Sequence, residues 1–99
     1  MSDPTLLVLS SLAGGDKHGY AMMVDIECFA GVRLGPGTLY GAITRLEERG
    51  WIRPVSAAVH TKDRRQPYTI TAAGRERLRD QLANLDRVVR TGRRRLKHA

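Results

Sequence analysis

The spacing of the apolar residues changes twice along this chain, and no other feature restricts its fold as much. Up to Gly50 they recur at helical intervals between glycine and proline stops, and from Trp51 to Ile70 they shorten into two extended runs. From Thr71 helical spacing returns, stepping by 4, 3 and 4 through Leu78, Leu82, Leu85 and Val89. Side chains share a face every ~3.6 residues on a helix and every ~2 on a strand, so neither pattern can stand in for the other. The spacing predicts a mainly α fold with a small β-hairpin set before one long terminal helix.

Three helices are expected before the hairpin. Asp3-Pro4 offers an N-cap and a proline at the first helical position, and Gly14-Gly15 a stop. The helix between them is apolar nearly all round and should be buried. A second begins near His18-Gly19, carries Tyr20, Met22, Met23, Ile26 and Phe29, and ends around Ala30-Gly31. Met22, Ile26 and Phe29 fall on one stripe. The third is LGPGTLYGAITRLEERG, residues 34 to 50, in which Leu39, Ala42, Ile43 and Leu46 make a narrow core stripe. Its opposite side collects Gly37, Gly41 and Thr44, flanked by Tyr40 and Arg45, and Gly50 suits the C′ position.

Trp51, Ile52 and Val55 open the first extended run and Tyr68-Thr69-Ile70 form the second, with polar residues from Ser56 to Gln66 between them. The tip carries His60, Lys62, Arg64 and Arg65 against Asp63. Pro54 and Pro67 each remove a ladder donor, so edge-type strands are expected. Thr71 is a good N-cap for the last helix, with Gly74 at its third position, and the seam extends to Gly92 and Leu96. A chain of 99 residues has no second layer to cover that stripe. Self-association is its simplest cover, with Leu6, Leu7 and Leu9 of the first helix helping.

Helix, helix, turn, helix and basic hairpin is the order of a winged helix-turn-helix, whose third helix enters a DNA groove. Gly41 bears on this. A glycine inside a helix costs roughly 1 kcal/mol relative to alanine, so one on the face away from the core asks for a compensating gain. Close packing against another helix would supply it, and so would close approach to a groove wall; the third reading is a cost simply tolerated. Thr38, Tyr40, Thr44 and Arg45 beside it carry heads suited to base edges or phosphates, which favours the groove. Gly37, one turn earlier, places free helical amides where a phosphate could meet them.

Charge and motifs narrow the remaining choices. Lys and Arg number 17 against 10 Asp and Glu, and residues 71–99 hold nine of the cations against three acids, which suits a polyanion or an acidic partner. The lone Cys28 can form no internal disulfide and reads as a small buried hydrophobe. His18 reads as a helix cap or a core hydrogen bonder, and His60 as a solvated or phosphate-facing residue, because no second ligand stands at metal spacing. AGGDKHG, residues 13 to 19, lacks the spacing of a phosphate loop. No base and nucleophile pair can be assembled, so no enzyme, metal or cofactor is expected. The run Leu6 to Leu12 is too short to span a bilayer and follows Asp3 rather than a basic segment, so a cytoplasmic protein is expected, away from membranes. Met1 is read as an intact start.

HGY at 18–20, GPGTLYGAITRLEERGWI at 35–52 and RRQPYTITAAGRERL at 64–78 closely resemble the PadR family of bacterial transcriptional regulators. The resemblance covers about three quarters of the chain. It implies a homodimer that binds operator DNA, usually as a repressor, with the third helix in the major groove and the wing on backbone or minor groove. By position it places Thr38 and Tyr40 at the groove and Arg64 and Arg65 on the wing. The last helix is short, as in the compact branch of the family, and holds no aromatic residue that could stack on a flat drug. No motif identifies a small-molecule inducer.

Residues 1–70 are therefore expected to form a winged helix-turn-helix DNA-binding domain, and residues 71–99 a dimerisation helix with a basic end. Gly37, Thr38, Tyr40, Gly41, Thr44, Arg45, Lys62, Arg64 and Arg65 would face double-stranded operator DNA. Leu6, Leu7, Leu9, Leu78, Leu82, Leu85 and Val89 would join two copies. The alternative is a winged-helix adaptor whose basic tail binds an acidic partner. The end of that tail, TGRRRLKHA, also reads as a solvated helix terminus whose cations suit the helix dipole.

Overall fold

The computed structural model describes residues 3–55 and 66–98. Four helices and a two-stranded antiparallel sheet follow in the order α1 (Pro4–Ala13), α2 (Gly19–Ala30), α3 (Pro36–Glu48), β1 (Ile52–Pro54), β2 (Tyr68–Ile70) and α4 (Ala72–Lys97). Each α-helical start except that of α3 carries a side-chain cap. Asp3 accepts from the Thr5 amide at 3.0 Å, His18 Nδ1 from Ala21 at 3.5 Å, and Thr71 Oγ1 from Gly74 at 3.1 Å. The α3 N-cap is Gly35, which has no side chain to offer.

Helix α1 is the centre of the body, packed against α2, α3, α4 and β2. That placement explains why it is apolar nearly all round: Leu7, Val8, Leu9, Ser11 and Leu12 are all buried. Helix α2 contributes Met22 and Ile26, and α3 contributes the stripe Leu39, Ala42, Ile43 and Leu46. Phe29 departs from its expected place. It is 51% exposed, because the last turn of α2 runs past the edge of the core before Gly31 ends it in the left-handed conformation.

The hairpin pairs Ile52 with Ile70, Arg53 with Thr69 and Pro54 with Tyr68. The edge-strand expectation holds on one side only. Across β2, Tyr68 exchanges backbone hydrogen bonds with Lys17, at 2.9 and 3.2 Å, so the wing is anchored to the α1–α2 link. Lys17 is fixed in turn. Its Nζ donates to the Ser11 carbonyl at 2.6 Å and the Gly15 carbonyl at 3.1 Å, while Ser11 Oγ donates to Asp25 Oδ2 at 2.7 Å. This network satisfies the buried Ser11 hydroxyl, which would otherwise cost its full desolvation penalty.

Helix α4 has 26 residues, about 39 Å, and only its first turns belong to the body. Leu78 completes the core, whereas Leu82, Leu85 and Val89 are 44–48% exposed, and Val88 and Leu96 more so. This corrects three of the residues expected to join two copies. Leu7, Leu9 and Leu78 are buried within the protomer's own core, so they have no surface to give a partner. Leu6 is half-buried against that core. The seam left open runs from Leu82 onward, and no helix among the described residues is long and apolar enough to cross a membrane.

The start of α4 is tied to the end of α3. Thr71 Oγ1 donates to the Gly50 carbonyl at 2.7 Å, and the Thr71 amide donates to the Trp51 carbonyl at 3.0 Å. Gly74 then passes so near the Trp51 backbone that a β-carbon there would fall on the Trp51 carbonyl oxygen. The glycine is required by a backbone, which no side-chain movement can relieve.

Candidate nucleic-acid interface

With one face of α3 committed to the core, the other is defined. Gly37, Thr38, Thr44 and Arg45 are exposed on it, Gly41 is half-exposed, and nothing lies within 4 Å of where a β-carbon on Gly37 or Gly41 would stand. Gly41 therefore has no packing partner among the described residues of its own chain. Close packing against the described residues of the protomer is thereby removed as an explanation for Gly41, and a tolerated cost or an approach from outside remains.

The polar side chains on this face rest on the helix itself. Thr44 Oγ1 donates to the Tyr40 carbonyl at 2.9 Å, and Arg45 Nε donates to the Gly41 carbonyl at 3.4 Å. Both bonds are exposed, so water can replace them and either side chain can turn outward at little cost. Glu48 also lies exposed here, an acid outside the expected set.

Tyr40 is placed differently from its expected role. Its ring packs over the start of α2, half-buried, and its hydroxyl stands 2.5 Å from where a β-carbon on Gly19 would be. The glycine in HGY is thus the hollow that accepts Tyr40, which locks α3 against α2. A signal for this was present in the pairing of a small residue with a large aromatic, but nothing in the sequence joins positions 19 and 40. Tyr68 sits in the same corner. Its phenol is pushed above the usual tyrosine range, first by burial and then by Glu47 and Tyr40, and it stays neutral near physiological pH.

Trp51, at the foot of the wing, is half-buried against the core, with the guanidinium carbons of Arg49 and Arg77 each 5.2 Å from its ring centroid. The wing-tip cations Lys62, Arg64 and Arg65, with His60, lie outside the described residues.

Three helices around a buried α1, a short antiparallel wing and an α3 face stripped of bulk define a winged helix-turn-helix protein of the transcription-regulator class. Residues 8–80 match the transcriptional regulator PadR-like family, and the chain belongs to that family. Its members are transcriptional regulators, not enzymes. Over 87 residues the chain is 44% identical to an uncharacterized 37.1 kDa protein in transposon TN4556 of Streptomyces fradiae. That match takes in 88% of this chain and 24% of the relative, so the chain spans about a quarter of the length of the curated relative it matches. Among solved structures it is similar to a PadR family transcription regulator from Clostridium difficile, with a TM-score of 0.80 at 23% identity, covering 96% of this chain and 99% of that one. A transcriptional regulator from Clostridium thermocellum gives a TM-score of 0.74 at 24% identity, over 89% and 84% of the two chains. These two likenesses concern the fold.

Proposed function

We propose that this chain acts in the cytoplasm as a homodimeric repressor that binds a pseudo-palindromic operator through α3. The observation that carries this is the open face of Gly37 and Gly41, set among Thr38, Thr44 and Arg45 on a helix whose other face is core. A helix with so little bulk can seat deeply in a major groove, where threonine and arginine heads reach base edges and the first-turn amides meet a phosphate. Glu48 on the same face can accept from a cytosine amino group and repels misplaced phosphates. Tyr40 adds the exposed part of its ring, and Lys62, Arg64 and Arg65 on the wing supply sequence-independent attraction.

Residues 1–70 form the DNA-binding unit on this reading, and the seam of Leu82, Leu85, Val88, Val89 and Leu96 joins two copies. An exposed apolar stripe along a projecting helix suits a second copy of itself. Two α3 helices would then address half-sites about 34 Å apart. Leu82→Glu is expected to convert the dimer to a folded monomer, seen by sedimentation or light scattering. Since Leu82 lies outside the protomer core, a variant that stays dimeric removes the seam from the interface.

Fluorescence anisotropy tests the whole reading, using labelled duplex from upstream of the protein's own gene and scrambled duplex as competitor at near-physiological salt. Binding that survives the competitor is the expected result. Binding that vanishes with competitor or salt leaves only polyelectrolyte attraction, and the adaptor reading takes its place.

A further inference from the structure

A small cleft lies between the N-terminus of α1, the end of α3 and the first turns of α4. It has a volume of about 140 Å³, and its polar lining includes Arg45, Arg49, Arg77, Gln81 and Asp3, with Trp51 beside them. Drug-sized ligands occupy roughly 300 Å³ or more, so this cleft takes something smaller.

Its charge is lopsided. Three guanidinium groups face a single carboxylate, and Asp3 already accepts from both the amide and the hydroxyl of Thr5. Among the described residues none of the three arginines has an ion-pair partner, and their one guanidinium hydrogen bond is Arg45 to the Gly41 carbonyl. Arg49 and Arg77 are nonetheless held in position, because both lie over Trp51. A cation–π contact uses the charge of the guanidinium and leaves its in-plane N–H donors for something else. The second unmet demand is Gln81, whose Oε1 is buried with no hydrogen-bond partner in the same wall. A buried acceptor without a donor is costly.

We propose that this cleft is a binding site for a small oxyanion of the phosphate type, either inorganic phosphate or the head of a small phosphate monoester. Such an ion supplies both missing halves. Its oxygens accept from the Arg45, Arg49 and Arg77 forks, and the proton that inorganic phosphate keeps near neutral pH, or a monoester keeps at slightly acid pH, is donated to Gln81 Oε1 once that amide turns into the cleft. Arg49, the C-cap of α3, and Arg77, near the start of α4, line the cleft beside Asp3 and Thr5 at the start of α1 and Gln81 of α4, and only Arg45 is shared with the Gly41 face, which favours a free ion over a DNA phosphodiester. The site does not depend on the repressor reading.

The test is calorimetric titration of the chain, residues 1–99, with inorganic phosphate, without DNA, at slightly acid pH and at ionic strength held constant with sodium chloride. Saturable binding of one ion per protomer is expected. Arg77→Gln should weaken it at least about tenfold, whereas Arg75→Gln, exposed on the same helix but outside the cleft, should bind as the parent does. Both residues are exposed, and unchanged melting temperatures would show that both variants fold. Absence of saturable binding overturns the site, and so does an equal loss in both variants, which would mean diffuse charge attraction. If phosphate fails to bind while Arg77→Gln loses affinity for scrambled duplex, these arginines serve the DNA backbone and the proposal falls. A titration with glycerol 3-phosphate in the same series separates the free ion from a monoester, either of which sustains the site.

Discussion

Gly74→Ala is expected to be the most damaging single-methyl change in this chain. The added β-carbon would fall on the Trp51 carbonyl oxygen, and that oxygen also accepts the Thr71 amide at the start of α4. Relief requires moving backbone, either the foot of β1 or the first turn of α4, and both are fixed by the Thr71 bonds to Gly50 and Trp51. Overpacking of this kind costs about 3 kcal/mol or more, the upper end of what inserted methylenes exact. For a domain of this size that is a fall in melting temperature of about 12 °C or more. Thermal unfolding followed by far-UV circular dichroism measures it. Gly37→Ala is the matched control: its β-carbon meets nothing, and melting should hold within about 0.5 kcal/mol. If the two variants melt alike, the tight passage of α4 over Trp51 is wrong.

Gly41→Leu should act in the opposite sense on fold and function. Leucine is a better helix former than glycine, and the space around Gly41 is open, so the protein should gain roughly 0.5–1 kcal/mol of stability. The new side chain would stand between α3 and the groove floor. Specific duplex affinity should fall at least about a hundredfold, about 2.7 kcal/mol. A more stable protein that no longer binds its operator separates a recognition defect from a folding defect in one variant. Normal operator binding by Gly41→Leu would show that α3 does not approach DNA by this face.

What the sequence made legible was local. The caps at Asp3, His18 and Thr71, the stop at Gly50 and the stripe from Leu39 to Leu46 all depend on residues within a turn or two of one another, and the structure holds each of them. The open side of α3 follows from the same periodicity. What escaped depends on contacts between distant positions. Leu78 and Leu82 have the same spacing and the same chemistry, yet one fills the protomer core and the other is exposed. Only the place where α4 leaves the body separates them. The Lys17–Tyr68 pairing is a single bridge with no alternation to announce it, and the need for Gly74 comes from a carbonyl 23 positions earlier. At the site, Gly37, Thr38, Gly41, Thr44 and Arg45 were readable as a face. The turn of Tyr40 toward Gly19 was not.

The two hydrogen bonds from Thr71 back to Gly50 and Trp51 leave no slack residue between the helix proposed to read DNA and the helix proposed to pair subunits. Each α3 is therefore carried by its α4 like a blade on a fixed handle. In the proposed homodimer the distance between two blades would then be set by how the handles cross, somewhere between Leu82 and Leu96. Substitutions there, at positions that never meet a base pair, would retune which half-site spacing the protein accepts while leaving the bases it reads unchanged.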